Sequence, residues 1–359
     1  MSSSLETTRP EALDALREAI HEVVAYRQDP TNRRRLDVAS AKIKSALKDD
    51  PGYLRAIYYD AIVDDLMGRS AEASPKYEQV LRTARADSTF LQEVQYNLGV
   101  AYYHGYSWSS LDKAIPEFTR VLAETKDPSL RILAMSGRAQ AYAMHMIPPI
   151  PANVDLSLVV RYSRLCQADI RPVLSRGSRL WRALTGRSVD RSAEKAAEWA
   201  AHNASGMRRM YLTDYWEHLD TDQRLKCGEN PKSTVLEIVG SALIDLAKAE
   251  AVRPRDWANW CDMASAHMRL GRSEPNVEKA NVHFAEAVAQ LTEVTKELRP
   301  NYGFALYELG RVYRLWGKFD EAANYLNAAL KIPKHEREVG DTRVNLELDR
   351  AKAKSKEYP

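Results

Sequence analysis

Apolar residues along this chain recur at steps of three and four, the spacing that keeps them on one face of an α-helix. The pattern is most regular between Pro300 and Pro333. There Leu306, Leu309, Gly310 and Tyr313 mark one helical face, and Ala322 and Leu326 mark a second, so the stretch predicts two short amphipathic helices. Gly317 supplies the turn between them and Pro333 ends the second. A glycine inside a helix costs about 1 kcal/mol relative to alanine. Gly310 and Ala322 therefore predict a close helix approach, and one such pair needs neighbours to bury its apolar face.

The same pattern can be followed along the chain. A first helix is expected from Pro10, with Leu13, Leu16, Ile20, Val23 and Val24 on its apolar face, and a second carries Ala39, Ile43, Ala46 and Leu47. Ile57, Asp60, Ala61 and Asp64 stand at the first-helix positions of the next unit, followed by Gly68 and by Ala73 and Tyr77. Ala39 and Ala73 are 34 residues apart. Gln95, Leu98, Gly99 and Tyr102 with Ala114 and Phe118 form a third unit, whose longer turn puts Trp108 in a protruding loop. A further first helix follows in which either Gly137 or Ala139 is the close-packing residue. The signal returns at Ala242 and Leu246, and again at Trp260, Met263, Ala264 and His267, with Gly271 as turn and Ala280 and Phe284 closing the unit.

The first-helix residues Leu306, Leu309, Gly310 and Tyr313 carry the W-x2-L-G-x2-Y signature with Leu in place of Trp, and Ala322, Leu326 and Pro333 supply its A-x3-F and Pro half. In this the sequence resembles the tetratricopeptide repeat (TPR) family. The resemblance implies an all-α, right-handed α-solenoid (superhelix) of antiparallel helix pairs, with a less regular helical middle region. The expected organisation is a disordered lead at 1–9, N-terminal repeats at 10–147, an Arg-rich segment at 148–232, C-terminal repeats at 233–333, and a charged capping helix and tail at 334–359. The 148–232 segment reads either as degenerate repeats or as a helical insertion.

Composition narrows the functional classes. Lys plus Arg number 52 against 49 Asp plus Glu, so any electrostatic function has to be local. Cys166, Cys227 and Cys261 lie 61 and 34 residues apart, which fits neither a zinc-binding pair nor a disulfide framework. They are expected to be reduced, mostly buried thiols. No apolar run reaches about 18 residues and no basic start precedes an apolar core, so no membrane partner and a cytoplasmic location are expected. The eight histidines form no His-Glu-x2-His pattern, and no Gly-rich phosphate loop or Gly-x-Ser-x-Gly elbow is present. The expectation is a protein that is not an enzyme, with no cofactor and no metal site. Asp60, Asp64 and Asp65 read as a solvated helix face.

TPR arrays commonly hold a partner peptide or helix in the groove lined by the first helix of each pair. Counting from each signature Gly or Ala, the resemblance implies groove positions at Tyr58 and Asp65, at Tyr96, Tyr103 and His104, at Arg269, and at Tyr307, Arg311 and Arg314. Tyrosine brings large area at low entropy cost and arginine pairs bidentately with carboxylates. Arg269, Arg311 and Arg314 would favour an acidic segment, and Tyr96 and Tyr307 have an alternative as packing residues. Arg161 to Arg191 contains eight Arg against Asp169 and Asp190, with Arg176, Arg179 and Arg182 beside Trp181. That basic patch reads as a plain solvated surface, as a dock for an acidic protein, or as a nucleic-acid contact. The functional expectation is a protein-interaction scaffold, the adaptor or sensor subunit of a larger complex; the alternative is a regulatory protein whose Arg161 to Arg191 region binds nucleic acid.

Overall fold

The computed structural model describes residues 7–29, 32–84, 88–105, 108–147, 155–175, 191–300, 302–333 and 339–354. Among them are sixteen α-helices and no strand, dividing into two units, 1–137 and 138–359.

In the first unit α1 (Pro10–Gln28) packs on α2 (Arg34–Asp49), α3 (Leu54–Leu66) on α4 (Ser70–Thr83), and α5 (Ser88–His104) on α6 (Trp108–Glu124). Pro10 opens α1, where its missing N–H costs nothing. Ala12, Leu16, Ala19 and Val23 form the buried stripe of that helix, whereas Val24 is 48% exposed, because the stripe follows one row of i, i+3 and i+4 positions and Val24 lies beside it. Trp108 is the first residue of α6, correcting the expected loop.

Phe118 explains how successive pairs stack. A Cβ on Gly99 of α5 would lie 2.9 Å from the Phe118 ring, and one on Gly137 of α7 (Pro128–Met144) would lie 2.8 Å from it. One fully buried ring thus fills the space left by two glycines on neighbouring first helices, which settles the choice between Gly137 and Ala139.

The second unit continues from α7 with α8 (Leu156–Leu174) and α9 (Arg191–Leu212). After α9 come a short 3-10 turn at Trp216–His218 and the small helix α10 (Thr221–Lys226), then α11 (Val235–Val252). The closing pairs are α12 (Trp257–Ser273) with α13 (Val277–Glu293), and α14 (Gly303–Trp316) with α15 (Phe319–Lys331). A last helix, α16 (Asp341–Lys352), packs on α15 and α14 through Val344, Leu348 and Ala351. Gly317 terminates α14 in the left-handed conformation at φ 86°, the backbone that glycine adopts without penalty. Gly271, expected to turn the chain, lies instead inside α12, where a Cβ would lie 3.0 Å from the Phe284 ring and 3.1 Å from the Ala280 carbonyl oxygen.

The α9 and α11 pair repeats the geometry of α14 and α15. A Cβ on Gly206 would lie 2.5 Å from Leu246 Cγ and 3.0 Å from the Ala242 carbonyl oxygen; for Gly310 the distances are 2.5 Å to Leu326 Cγ and 3.2 Å to the Ala322 oxygen. Gly206 is therefore a packing glycine of the same kind, separated from its second helix by an inserted turn at 213–234. Arg208 ties that turn down. Its side chain, 1% exposed, donates to the Cys227 carbonyl oxygen at 2.8 Å and to Ser163 Oγ at 3.1 Å, and it is ion-paired with Glu229.

Candidate partner-binding face

In the first unit the neighbouring first helices α3 and α5 are bridged twice. Asn97 Nδ2 donates to the Tyr58 hydroxyl at 2.7 Å, and His104 Nδ1 lies 3.0 Å from both Asp65 carboxylate oxygens. Both bridges join residues 39 apart, one more than the 38 that separate Ala61 from Gly99, so each ties adjacent positions on the facing rows of successive helices. Ser70 Oγ donates to Asp65 at 2.8 Å from the start of α4, fixing the carboxylate that holds the imidazole.

Tyr58 is buried among Tyr59, Tyr77 and Phe90 in edge-to-face contact, and burial pushes its phenol well above the usual range. Tyr103 is buried against the His104 ring, with centroids 5.5 Å apart. Tyr96 is half-buried with its ring 5.8 Å from Phe118, so it packs on one side and stays accessible on the other. The His104 side chain is 36% exposed, so the imidazole that Asp65 holds remains open on one side.

Asp60 and Asp64 do not form a solvated face, which corrects that expectation. Lys76 of α4 pairs with both, and Arg69 reaches Asp64 with Nη2 at 2.5 Å. Two carboxylates on α3 are thus absorbed by the cations of its own partner helix. The exchange replaces the apolar residues usual at such positions, and a first helix with acidic residues in its packing rows still docks.

The second unit departs from expectation at its arginines, which turn inward to carboxylates, distant ones for Arg269 and Arg314 and one three residues away for Arg311. Arg269 is buried, pairs with Asp214 in the inserted turn at 2.8 Å, and lies over the Tyr211 ring. Arg314 is 0% exposed and pairs through Nε with Glu347 Oε2 of α16 at 2.6 Å. Burial lowers its guanidinium below the usual range, partly offset by Glu347. Arg311 pairs with Glu308 at 2.7 Å and covers the Tyr307 ring, which is itself buried against Phe304 in the contact with α16. The expected exposed guanidinium groups for an acidic segment are corrected accordingly, and Tyr307 takes the packing role. Arg176, Arg179, Trp181 and Arg182 lie outside the described residues.

The three cysteines are buried and free, and burial pushes the Cys166 thiol up to about 12. Among the described residues no group of three or more His, Cys, Asp or Glu is placed to hold a metal ion, and no helix is long and apolar enough to cross a membrane.

Residues 258–335 match the family model described as tetratricopeptide repeat. No curated protein is a significant match. Among solved structures, the chain is similar to a tetratricopeptide repeat protein from Parabacteroides merdae at 13% identity and a TM-score of 0.46, covering 94% of this chain and 99% of that one. It is also similar to the TPR2AB domain of yeast Sti1 in complex with pHSP90, at 15% identity and a TM-score of 0.29 over 96% of this chain and 98% of that chain. A third similarity is to the human IFIT1 dimer with m7Gppp-AAAA, at 15% identity and a TM-score of 0.38 over 97% of this chain and 78% of that chain. The family match spans the α12 to α15 pairs, where Gly310 meets Leu326 and Gly271 meets Phe284, so residues 258–335 are tetratricopeptide repeats.

Proposed function

We propose that the chain is a non-catalytic protein-interaction scaffold, an adaptor or sensor subunit of a larger complex, which holds a peptide or helix of its partner against the first-helix face of α3 and α5. The observation that carries this reading is the pair of bridges Tyr58–Asn97 and Asp65–His104. They hold two successive helices in register before any partner arrives, so little ordering entropy is lost on binding. Tyr96, Val100 and His104 are half-buried on α5 and combine aromatic area with a polar edge, the mixture that dominates binding energy at protein interfaces.

A photo-crosslinking amino acid placed at Val100 tests the assignment against one placed at Thr119, an exposed residue of the second helix α6. Specific covalent adducts from Val100 and none from Thr119, lost again when Tyr96 and His104 are both changed to Ala, are expected. Equal adducts at the two positions, or none at Val100, would overturn the reading.

A further inference from the structure

Within the second unit a cleft of about 380 Å³ opens between α11, α12 and α13. Its residues combine an aromatic surface with negative charge. Trp260 and Met263 of α12 form the apolar side, and Trp260 rests its other side on the core of the second unit. Glu250, Glu286 and Glu293 contribute three carboxylates. Gln290 supplies a side-chain carbonyl oxygen that is buried without a hydrogen-bond partner among the described residues. A buried acceptor in that state costs free energy until a donor reaches it.

One cation already sits at the rim. Arg255 holds its backbone in the left-handed region at φ 59°, which is unfavourable for a side-chain-bearing residue. In this conformation its N–H donates to Glu250 Oε1 at 2.7 Å while its guanidinium reaches Glu293 at 2.5 Å. Asn259 also donates to Glu250 at 3.3 Å, so that carboxylate is held in place, whereas Glu286 makes no ion pair among the described residues. Three carboxylates against one guanidinium leave the cleft with a charge of about −2.

We infer that this cleft binds an aliphatic organic cation, an ammonium or guanidinium group on an apolar stem. The stem lies against Trp260 and Met263, the charged head takes Glu286 and shares Glu293, and an N–H of the head satisfies the Gln290 oxygen. The indole face adds a cation–π attraction. Arg255 acts as a resident competitor for Glu293. The head group is common to a free polyamine and to the lysine or arginine side chain of another protein.

The test is isothermal titration of the full chain at low salt with spermidine and, separately, with a short peptide bearing two lysines between glycines. Saturable binding of one or both is expected. Spermidine alone identifies a free polyamine as the source, and the peptide, alone or as the tighter ligand, identifies a protein side chain. Glu286→Gln weakens the interaction about threefold or more, and Arg255→Gln strengthens it by a similar factor because the competing guanidinium is gone. Trp260→Leu, the residue that the last repeat carries at the same signature position as Leu306, keeps the fold and weakens binding. Absence of saturable binding by either probe, or binding indifferent to both Glu286→Gln and Arg255→Gln, overturns the inference.

Discussion

Arg314 and Glu347 meet at 2.6 Å with side chains 0% and 3% exposed, joining the first helix of the last repeat to the helix that closes the chain's described portion. Removing one partner of a buried ion pair costs on the order of 3–5 kcal/mol, whereas replacing both by apolar residues is often neutral. Glu347→Ala is expected to lose about that much in urea denaturation, with Arg314→Met plus Glu347→Leu recovering most of it. Equal destabilisation by the single and double variants would show that the loss does not come from leaving Arg314 buried and unpaired. Arg314→Glu sets a new carboxylate beside Glu347 and tests folding, so it is unsuitable as a probe of partner binding.

Phe118 is fully buried between Gly99 and Gly137. Phe118→Ala is expected to cost about 3–5 kcal/mol by opening a cavity. Gly99→Ala pushes the other way, because its methyl would sit 2.9 Å from the ring. The overpacking penalty of about 1–3 kcal/mol exceeds the roughly 1 kcal/mol that alanine gains in helix propensity. Gly99→Ala combined with Phe118→Leu should then be less destabilised than the sum of the two, as read from thermal melts.

Two groups on α12 oppose each other in pH dependence. Burial raises the Asp262 carboxyl to about 7, and burial followed by the neighbouring His283 lowers His267 to about 4. The raised acid favours the folded state at low pH and loses that advantage as pH rises from about 4 to about 7. The depressed base works the opposite way: the unfolded chain takes up more protons below about 6.5, so stability falls as pH drops toward about 4. In the native chain the two slopes offset. Asp262→Asn should expose a loss of stability on acidification, and His267→Gln a loss on going from pH 4 to 7; parallel profiles for the two variants would contradict the assignment.

Much of the fold was legible because its decisive contacts are local. Gly310, Ala322 and Leu326 lie within sixteen residues, and close packing of a helix pair demands a small residue at that spacing. Gly206 makes the same contact but is separated from Ala242 by an inserted turn, so the repeat period fails and only the isolated Ala242 and Leu246 signal survives. Its own positions are degenerate, with His202, Ser205 and Arg209 where apolar and aromatic residues are expected. The arginines were misread for a related reason. Whether Arg269 or Arg314 faces solvent depends on Asp214 and Glu347, 55 and 33 residues away, and no helical periodicity carries information over such distances. In the first unit Asp65 and His104 stand at neighbouring groove positions of successive repeats, four after Ala61 and five after Gly99, which is why they could be grouped from the sequence.

The inserted turn after α9 has a consequence for how the chain tolerates cleavage. Its helix α10 has no buried residue, so a protease can reach it, yet the segments on either side remain tied: Arg208 holds Glu229 and the Cys227 carbonyl, and Arg269 holds Asp214. A single nick between Thr221 and Lys226 should therefore yield two fragments that migrate together in native gel filtration and separate in denaturant. Fragments that part without denaturant would mean that the α9 and α11 interface needs chain continuity. Joined fragments would make this turn a natural place to split the protein into two complementing halves.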